Sequence, residues 1–206
     1  SLHGTRYNGI ALDWRVETFP RVLKHAGYHT AHLGKCHLQN MNIMASVARK
    51  QTDKLQPGDA IDLRHYPTGW DQYEDLKRHT KEHVQIPDDY YGFGEVDLVV
   101  AHSDQCGGHY YQWLLQQGID PSTIQGGSVG QAYESSSHMV WKTSTPEELY
   151  PTNYITNVAT DFLRTRAKEP HTPFMAVVSY PDPHHPFTPP GKYFDMYSPE
   201  DYVMPA

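Results

Sequence analysis

The hydrophobic positions of this chain show a helical pattern followed at once by an extended one, near the N-terminus. Apolar residues over 19–26 recur at spacings of three and four, which predicts an amphipathic helix with Thr18 as its N-cap. The next residues, 28–33, are rich in strand formers, and Gly34 is predicted to end that strand. A helix that leads directly into a strand is typical of a layered α/β domain.

The same order returns near the C-terminus. A full apolar stripe predicts a helix over 153–168, with Thr152 as a candidate cap. Residues 173–180 are almost continuously apolar and predict a buried strand. Two helix-then-strand units predict parallel strands in one sheet with helices on its faces, because such connections are right-handed crossovers. The expected fold class is therefore α/β.

Between these units, residues 39–151 form a long stretch with little clear periodicity. The elements predicted inside it are a short helix over 41–48, a strand over 95–101 and a helix over 108–117. The proline-rich segment 181–190 is predicted to be a loop.

Composition excludes several classes of protein. The 206 residues allow one ordinary domain or two small ones, and 15 tyrosines add apolar area to a 38% hydrophobic composition, which argues against general disorder. A net charge of −7 predicts no nucleic-acid partner. The longest apolar runs, 174–178 and 98–101, are too short to span a bilayer, so no membrane partner is predicted. Two cysteines exclude a disulfide framework, whereas 14 histidines suggest a polar site.

Candidate chemistry follows both predicted strands. Lys35 and His37 point the same way in an extended segment, so a cation and an imidazole share one volume that suits an anionic group. His184 and His185 stand between prolines after the second strand. Ligands of open α/β sheets bind at the carboxyl ends of the strands, which makes this edge the predicted site.

Simpler interpretations stay open for the same residues. Lys35 fits a solvated lysine at a strand end, and His184 and His185 fit turn residues. A zinc site using His37, His184 or the pair Cys106 and His109 lacks a recognised ligand spacing, and no metal ligand is assigned within this chain. The sequence has no Gly-x-Ser-x-Gly nucleophile turn and no phosphate-binding glycine loop.

Taken together, these segments resemble the sulfatase family of the alkaline-phosphatase superfamily. Residues 26–38 are similar to the family signature G-Y-x-T-x-x-x-G-K-W-H, and residues 173–187 to its later strand and P-H-x-P loop. Residues 4–9 resemble a T-G-R-Y segment with Gly and Thr exchanged. The resemblance implies a partial three-layer α/β/α sheet over residues 1–206, in which 39–151 is an irregular insert that lines the substrate side.

The resemblance also implies roles in the hydrolysis of a small-molecule sulfate ester. Lys35 is expected to contact a sulfate oxygen, His37 to hold a hydroxyl of the nucleophile and assist sulfate release, and His184 to hydrogen-bond the leaving-group oxygen. The implied cofactors are a formylglycine, made from Cys or Ser in a C/S-x-P-S-R motif, and a divalent cation, usually calcium. The further residues expected to bind substrate are His185, His102, Asp104 and His109.

The sequence departs from the family pattern in several places. The nucleophile motif, the acidic metal ligands and a second sulfate-binding lysine are absent from residues 1–206, and Cys36 replaces the family's tryptophan. We therefore expect a fragment that is inactive alone and that needs the remainder of the catalytic domain, or a homo-oligomer, as a partner. The compartment, exported or cytoplasmic, is open. The alternatives are a phosphonate monoester or phosphodiester hydrolase of the same superfamily, and a non-catalytic metal- or partner-binding module.

Overall fold

The computed structural model of this protein describes Thr5 and residues 11–39, 69–132 and 138–203. In this part of the chain, a four-stranded sheet has the strand order β3-β2-β1-β6. A separate two-stranded hairpin contains β4 and β5. The strands are His29–Lys35 (β1), Glu95–Val100 (β2), Gly107–Gly108 (β3), Gln131–Ala132 (β4), Trp141–Lys142 (β5) and Phe174–Ser179 (β6).

The central strands of the sheet are parallel, as the sequence predicts. β1 pairs in parallel with β2 on one side and with β6 on the other, and Gly34 is in register with both Leu98 and Ser179. The short strand β3 pairs antiparallel with β2 and completes a mixed sheet. The carboxyl ends of β1, β2 and β6 therefore meet at one edge, which is where ligands bind in open α/β sheets.

Helices flank this sheet on its faces and confirm the α/β class. They are Phe19–His25 (α1), Leu76–His79 (α2), His109–Gln116 (α3) and Pro151–Arg166 (α4). The alternation of side chains along β2 separates two cores, since successive residues of a strand point to opposite faces. Val99 packs with residues of α3 and α4, whereas Leu98 and Val100 pack with Cys36 and the buried residues of 84–91.

Of the two predicted N-cap residues, one is confirmed and one is wrong. Thr18 caps α1, because its side chain accepts a hydrogen bond from the Arg21 amide. The helix α4 begins at Pro151 with Tyr150 at its N-cap position, so Thr152 lies inside the first turn and is not the cap. Proline is well suited to that first position because it has no amide hydrogen to leave unpaired.

Two predictions about the sheet need correction, and a third is confirmed. Gly34 does not end the first strand, because β1 continues to Lys35. The last strand is not fully buried: Phe174 is 42% and Val178 39% exposed, since β6 pairs only with β1 among the described residues. The strand predicted over 95–101 is confirmed as β2, which lies beside β1 in the sheet.

Two predicted features fall largely on residues that the structure does not describe. The short helix expected over 41–48 lies outside the described residues, and so does the segment 4–9 except for Thr5. In the described ranges, no helix has both the length and the apolar character that crossing a membrane requires.

Candidate active site

Lys35 and His37 lie at the carboxyl end of β1. Lys35 is the last residue of the strand, and both side chains line a cavity of about 420 Å³ together with Tyr91, Phe93 and other residues. The His32 ring nitrogen Nε2 donates to the Lys35 carbonyl oxygen over 3.0 Å, because a carbonyl can only accept. This hydrogen bond fixes the end of the strand.

Lys35 and His184 both lie within electrostatic reach of His37. Burial lowers the pKa of Lys35, and the acidic groups of Cys106 and Asp182 oppose that lowering. The pKa of His37 is lowered first by burial and then by the positive charges of Lys35 and His184. The site therefore combines a partly desolvated cation with an imidazole that favours its neutral form.

His184 is held by the loop that follows β6. Its Nδ1 atom donates to the His185 carbonyl oxygen over 2.6 Å. The buried Ser103 hydroxyl lies 3.1 Å from the His184 carbonyl oxygen and also contacts the Pro186 carbonyl oxygen. Because Nδ1 carries the hydrogen, neutral His184 presents an unprotonated Nε2, and only its imidazolium form can donate from Nε2.

The His102 ring lies near histidines at the ends of both β1 and β6. Its ring centroid lies 6.1 Å from that of His37, 3.8 Å from that of His184 and 6.4 Å from that of His185. We call His37, His102, His184 and His185 the histidine cluster. These residues follow β1, β2 and β6, so the structure brings five of the predicted site residues, the cluster and Lys35, to one edge of the sheet.

Asp104 belongs to a different set of contacts. It is fully buried, and its Oδ2 atom accepts hydrogen bonds from the Trp141 indole at 2.8 Å, the Thr143 hydroxyl at 2.7 Å and the Gly126 amide at 3.3 Å. Burial raises the pKa of this carboxyl. These contacts anchor the hairpin, which favours a structural role, and the substrate-binding assignment stays a prediction.

His109 also lies apart from the cluster. Its Nδ1 accepts from the Leu98 amide at 3.2 Å, and its Nε2 donates to the Val84 carbonyl oxygen at 3.0 Å. Its ring stacks on that of His83, with the centroids 4.9 Å apart. With both nitrogens engaged, the ring has none left for a substrate, so the geometry favours a structural role here too.

Two residues that the sequence analysis did not single out support the site. Asp182 accepts hydrogen bonds from Thr152 at 2.9 Å and from Tyr150 at 3.2 Å, which ties the loop after β6 to the start of α4. Asp182 lies directly before the Pro-His-His segment, so its position in the sequence could have indicated that it supports the site. Ser103 carried no such signal, because its partners are carbonyl groups more than 80 residues away in the chain.

A second cavity, of about 560 Å³, adjoins the same loop. Asp182 and Phe187, which flank the two loop histidines in sequence, both line it. Its aromatic lining includes Tyr150, Tyr193 and the Phe187 ring, which is 51% exposed. An apolar, aromatic wall of this kind suits a flat organic group rather than an ion.

The described residues do not fit a divalent cation. Among them, no group of three or more His, Cys, Asp or Glu side chains is arranged to hold a metal ion. In the histidine cluster, the His102 ring is tilted by only 23° from His184 and by 12° from His185, so these rings are stacked and their nitrogens do not converge on one point.

Comparisons with known proteins point to one family. A family model described as "Sulfatase" matches residues 2–204. The chain is 48% identical over 59 residues to an "Arylsulfatase" of Clostridium perfringens, and this match covers 29% of this chain and 12% of that protein. It is 26% identical over 192 residues to the "Uncharacterized sulfatase YidJ" of Escherichia coli, and this match covers 93% of this chain and 27% of that protein.

Proposed function

Because this chain belongs to the sulfatase family, we propose that it supplies the lysine and histidine side of the active site of a sulfuric-ester hydrolase. The observation that supports this proposal is the meeting of Lys35, His37 and His184 at one sheet edge, although they come from strands far apart in sequence. The chain spans only 12% and 27% of the two relatives, so the activity described here is proposed for the full-length protein.

Lys35 is proposed to bind the sulfate group. Its ammonium is partly desolvated, and a charge in such an environment interacts more strongly with an anion than it would in water. The developing charge on the transferring group lies next to a cation that is already in place, which is the usual source of electrostatic stabilisation in enzymes.

His184 is proposed to protonate the leaving group. As the sulfur–oxygen bond of the ester breaks, its electron pair stays on the alcohol oxygen, and the proton moves from Nε2 of the His184 imidazolium to that oxygen. The hydrogen bond from Nδ1 to the His185 carbonyl keeps Nε2 free for this transfer. The product is a neutral alcohol.

His37 is proposed to act as a proton acceptor when sulfate is released. Burial and the charge of Lys35 lower its pKa, so the ring is unprotonated and able to accept at neutral pH. His185 is proposed to contact the substrate beside His184, since its ring lies 4.2 Å from that of His184. The arylsulfatase type of substrate is proposed from the aromatic wall of the larger cavity.

The nucleophile and the cation are proposed to come from outside residues 1–206. The sequence contains no C/S-x-P-S-R motif, and both cysteines are buried with their pKa raised by that burial. A formylglycine there would supply the attacking oxygen, and a divalent cation, usually calcium in sulfatases, would offset the sulfate charge. Residues 1–206 alone are accordingly proposed to be inactive.

A direct test uses the full-length protein and three chromogenic esters. We expect 4-nitrophenyl sulfate to be hydrolysed with a higher kcat/KM than 4-nitrophenyl phenylphosphonate or bis(4-nitrophenyl) phosphate. A preference for either phosphorus ester would favour the related hydrolases, because a lysine and imidazoles stabilise both kinds of tetrahedral anion. No turnover of any of the three, together with metal or protein binding at the histidines, would favour a non-catalytic module.

A further inference from the structure

The His102 ring has an unusual position for a residue of a strand-end loop. It stacks face to face on the His184 ring, with the centroids 3.8 Å apart and the planes 23° from parallel. We propose that His102 is a positioning residue, whose neutral ring holds the His184 imidazolium in line with the leaving-group oxygen. This inference rests on the proposed function, and it assigns His102 an action through His184 rather than on the substrate.

The backbone around His102 is shaped to present this ring. The residues on both sides of it have positive φ angles, 69° for Ala101 and 51° for Ser103, in the left-handed region that non-glycine residues rarely adopt. Strain of this kind persists only where the surrounding structure imposes it, and it concentrates at functional sites. The two strained residues turn the chain at the end of β2 toward the loop after β6.

A second contact joins the same two segments. Next to His102, the Ser103 hydroxyl binds the carbonyl oxygens of His184 and Pro186. The ring of one residue therefore holds the His184 side chain while the hydroxyl of its neighbour holds the His184 backbone. Such double support is what keeps a proton donor within the narrow range of positions that transfer requires.

The charges around His102 keep its ring neutral. Burial lowers its pKa to about 4, with further lowering by the positive charges of Lys35, His184, His37 and His185, which lie at the ends of β1 and β6. A second imidazolium would repel His184, whereas the face of a neutral aromatic ring attracts a cation. The Nε2 atom of His102 is buried and makes no hydrogen bond to the described residues, so no hydrogen bond at this atom competes with the stack.

The test compares three variants of the full-length protein. His102→Ala removes the stack, His102→Phe keeps a ring of similar size without nitrogens, and His83→Ala removes a ring from the separate His83–His109 stack. We expect His102→Ala to lower kcat by about 10- to 100-fold with little change in KM, since misplacing a reacting group costs rates of this order. His102→Phe should retain most of the activity, and His83→Ala should leave it unchanged.

Comparing two leaving groups distinguishes a positioning role of His102 from general structural damage in the His102→Ala variant. If His102 acts through His184, the loss in His102→Ala should be greater for an alkyl sulfate than for 4-nitrophenyl sulfate, because the poorer leaving group depends more on protonation. Equal losses with both substrates, or unchanged kcat in His102→Ala, would overturn the proposal. A His102→Phe variant as slow as His102→Ala would also overturn it and would indicate that a ring nitrogen contacts the substrate.

A readout without catalysis distinguishes this inference from the proposed function. In NMR spectra of the full-length protein, the ring protons of His184 should be shifted upfield by the stacked ring. That shift should be lost in His102→Ala and kept in His102→Phe. If the wild-type protein hydrolyses no sulfate ester but shows this shift, the proposed function fails while the stack is confirmed; absence of the shift in the wild type would contradict the stack itself.

Discussion

Gly34 of β1 and Ser179 of β6 approach each other so closely that no side chain fits between them. A Cβ atom built on Gly34 would lie 2.0 Å from the Ser179 carbonyl oxygen, and Gly34 has a φ of +111°. The two residues are register partners in the parallel pair. This contact brings the end of β1, with Lys35 and His37, against the strand whose loop carries His184.

The first prediction concerns this contact. Gly34→Ala should destabilise the folded protein by at least about 2 kcal/mol, because the methyl group must push β1 away from β6 and the residue must also hold a positive φ. Thermal unfolding of the full-length protein measures the change. Gly118→Ala is the matched control, since Gly118 has a φ of +76° but nothing within 4 Å of its added Cβ. Equal losses for the two variants would contradict the close-contact explanation.

Removal of the Lys35 charge should impair transfer of the sulfate group. We expect Lys35→Met to lower kcat/KM for 4-nitrophenyl sulfate by about 100-fold or more, as the loss of a single electrostatic stabiliser does in other enzymes. Lys35→Arg keeps the charge in a different geometry and should retain more activity. Lys168→Met, which removes an exposed lysine after α4, serves as the control. Activity in Lys35→Met equal to that of the control would exclude a role in binding sulfate.

The loss of kcat on removal of His184 should depend on the leaving group of the ester. His184→Ala is expected to reduce kcat by roughly 100-fold for an alkyl sulfate, and by less for 4-nitrophenyl sulfate, whose anion departs without help from an acid. Steady-state rates with both esters measure this difference. His171→Ala, an exposed histidine before β6, is the control. A uniform decrease accompanied by a lower melting temperature would indicate instead that His184 only supports the loop.

Protonation of a buried histidine should make the fold sensitive to acid. His79 is fully buried, its Nε2 donates to the Tyr73 carbonyl oxygen over 2.7 Å, and burial lowers its pKa to about 4. The unfolded chain takes up this proton near the ordinary pKa of about 6.5, so the stabilisation is complete above that pH and is lost as the pH falls towards 4. The expected loss is up to about 3 kcal/mol, because each unit of pKa difference corresponds to 1.36 kcal/mol.

The measurement is the free energy of unfolding of the full-length protein between pH 7 and pH 4. His79→Gln removes the titrating group and should flatten this dependence relative to the wild type. His171→Gln, at an exposed position, should leave the slope as it is. A wild-type slope that persists in His79→Gln would assign the acid sensitivity to other groups.

The sequence by itself determined the parallel strands and three of the four described helices, since α2 was not predicted. Local periodicity fixes these elements, because the spacing of apolar residues reports which face of a helix or strand is buried. It located β1, β2 and β6 to within one or two residues, and it placed Lys35, His37 and His184 after strands that end at one edge. The family motifs are visible in the sequence because close backbone contacts, as at Gly34, restrict single positions to a residue type.

Only the tertiary structure decided which polar residues belong to the site. His102 and His109 look alike in the sequence, yet one stacks on His184 while the other has both nitrogens bound to the backbone at Val84 and Leu98. Asp104, two residues from His102, instead accepts hydrogen bonds from Trp141 and Thr143. The partners of a buried polar group come from distant parts of the chain, and the packing that brings them close leaves no local pattern in the sequence around it.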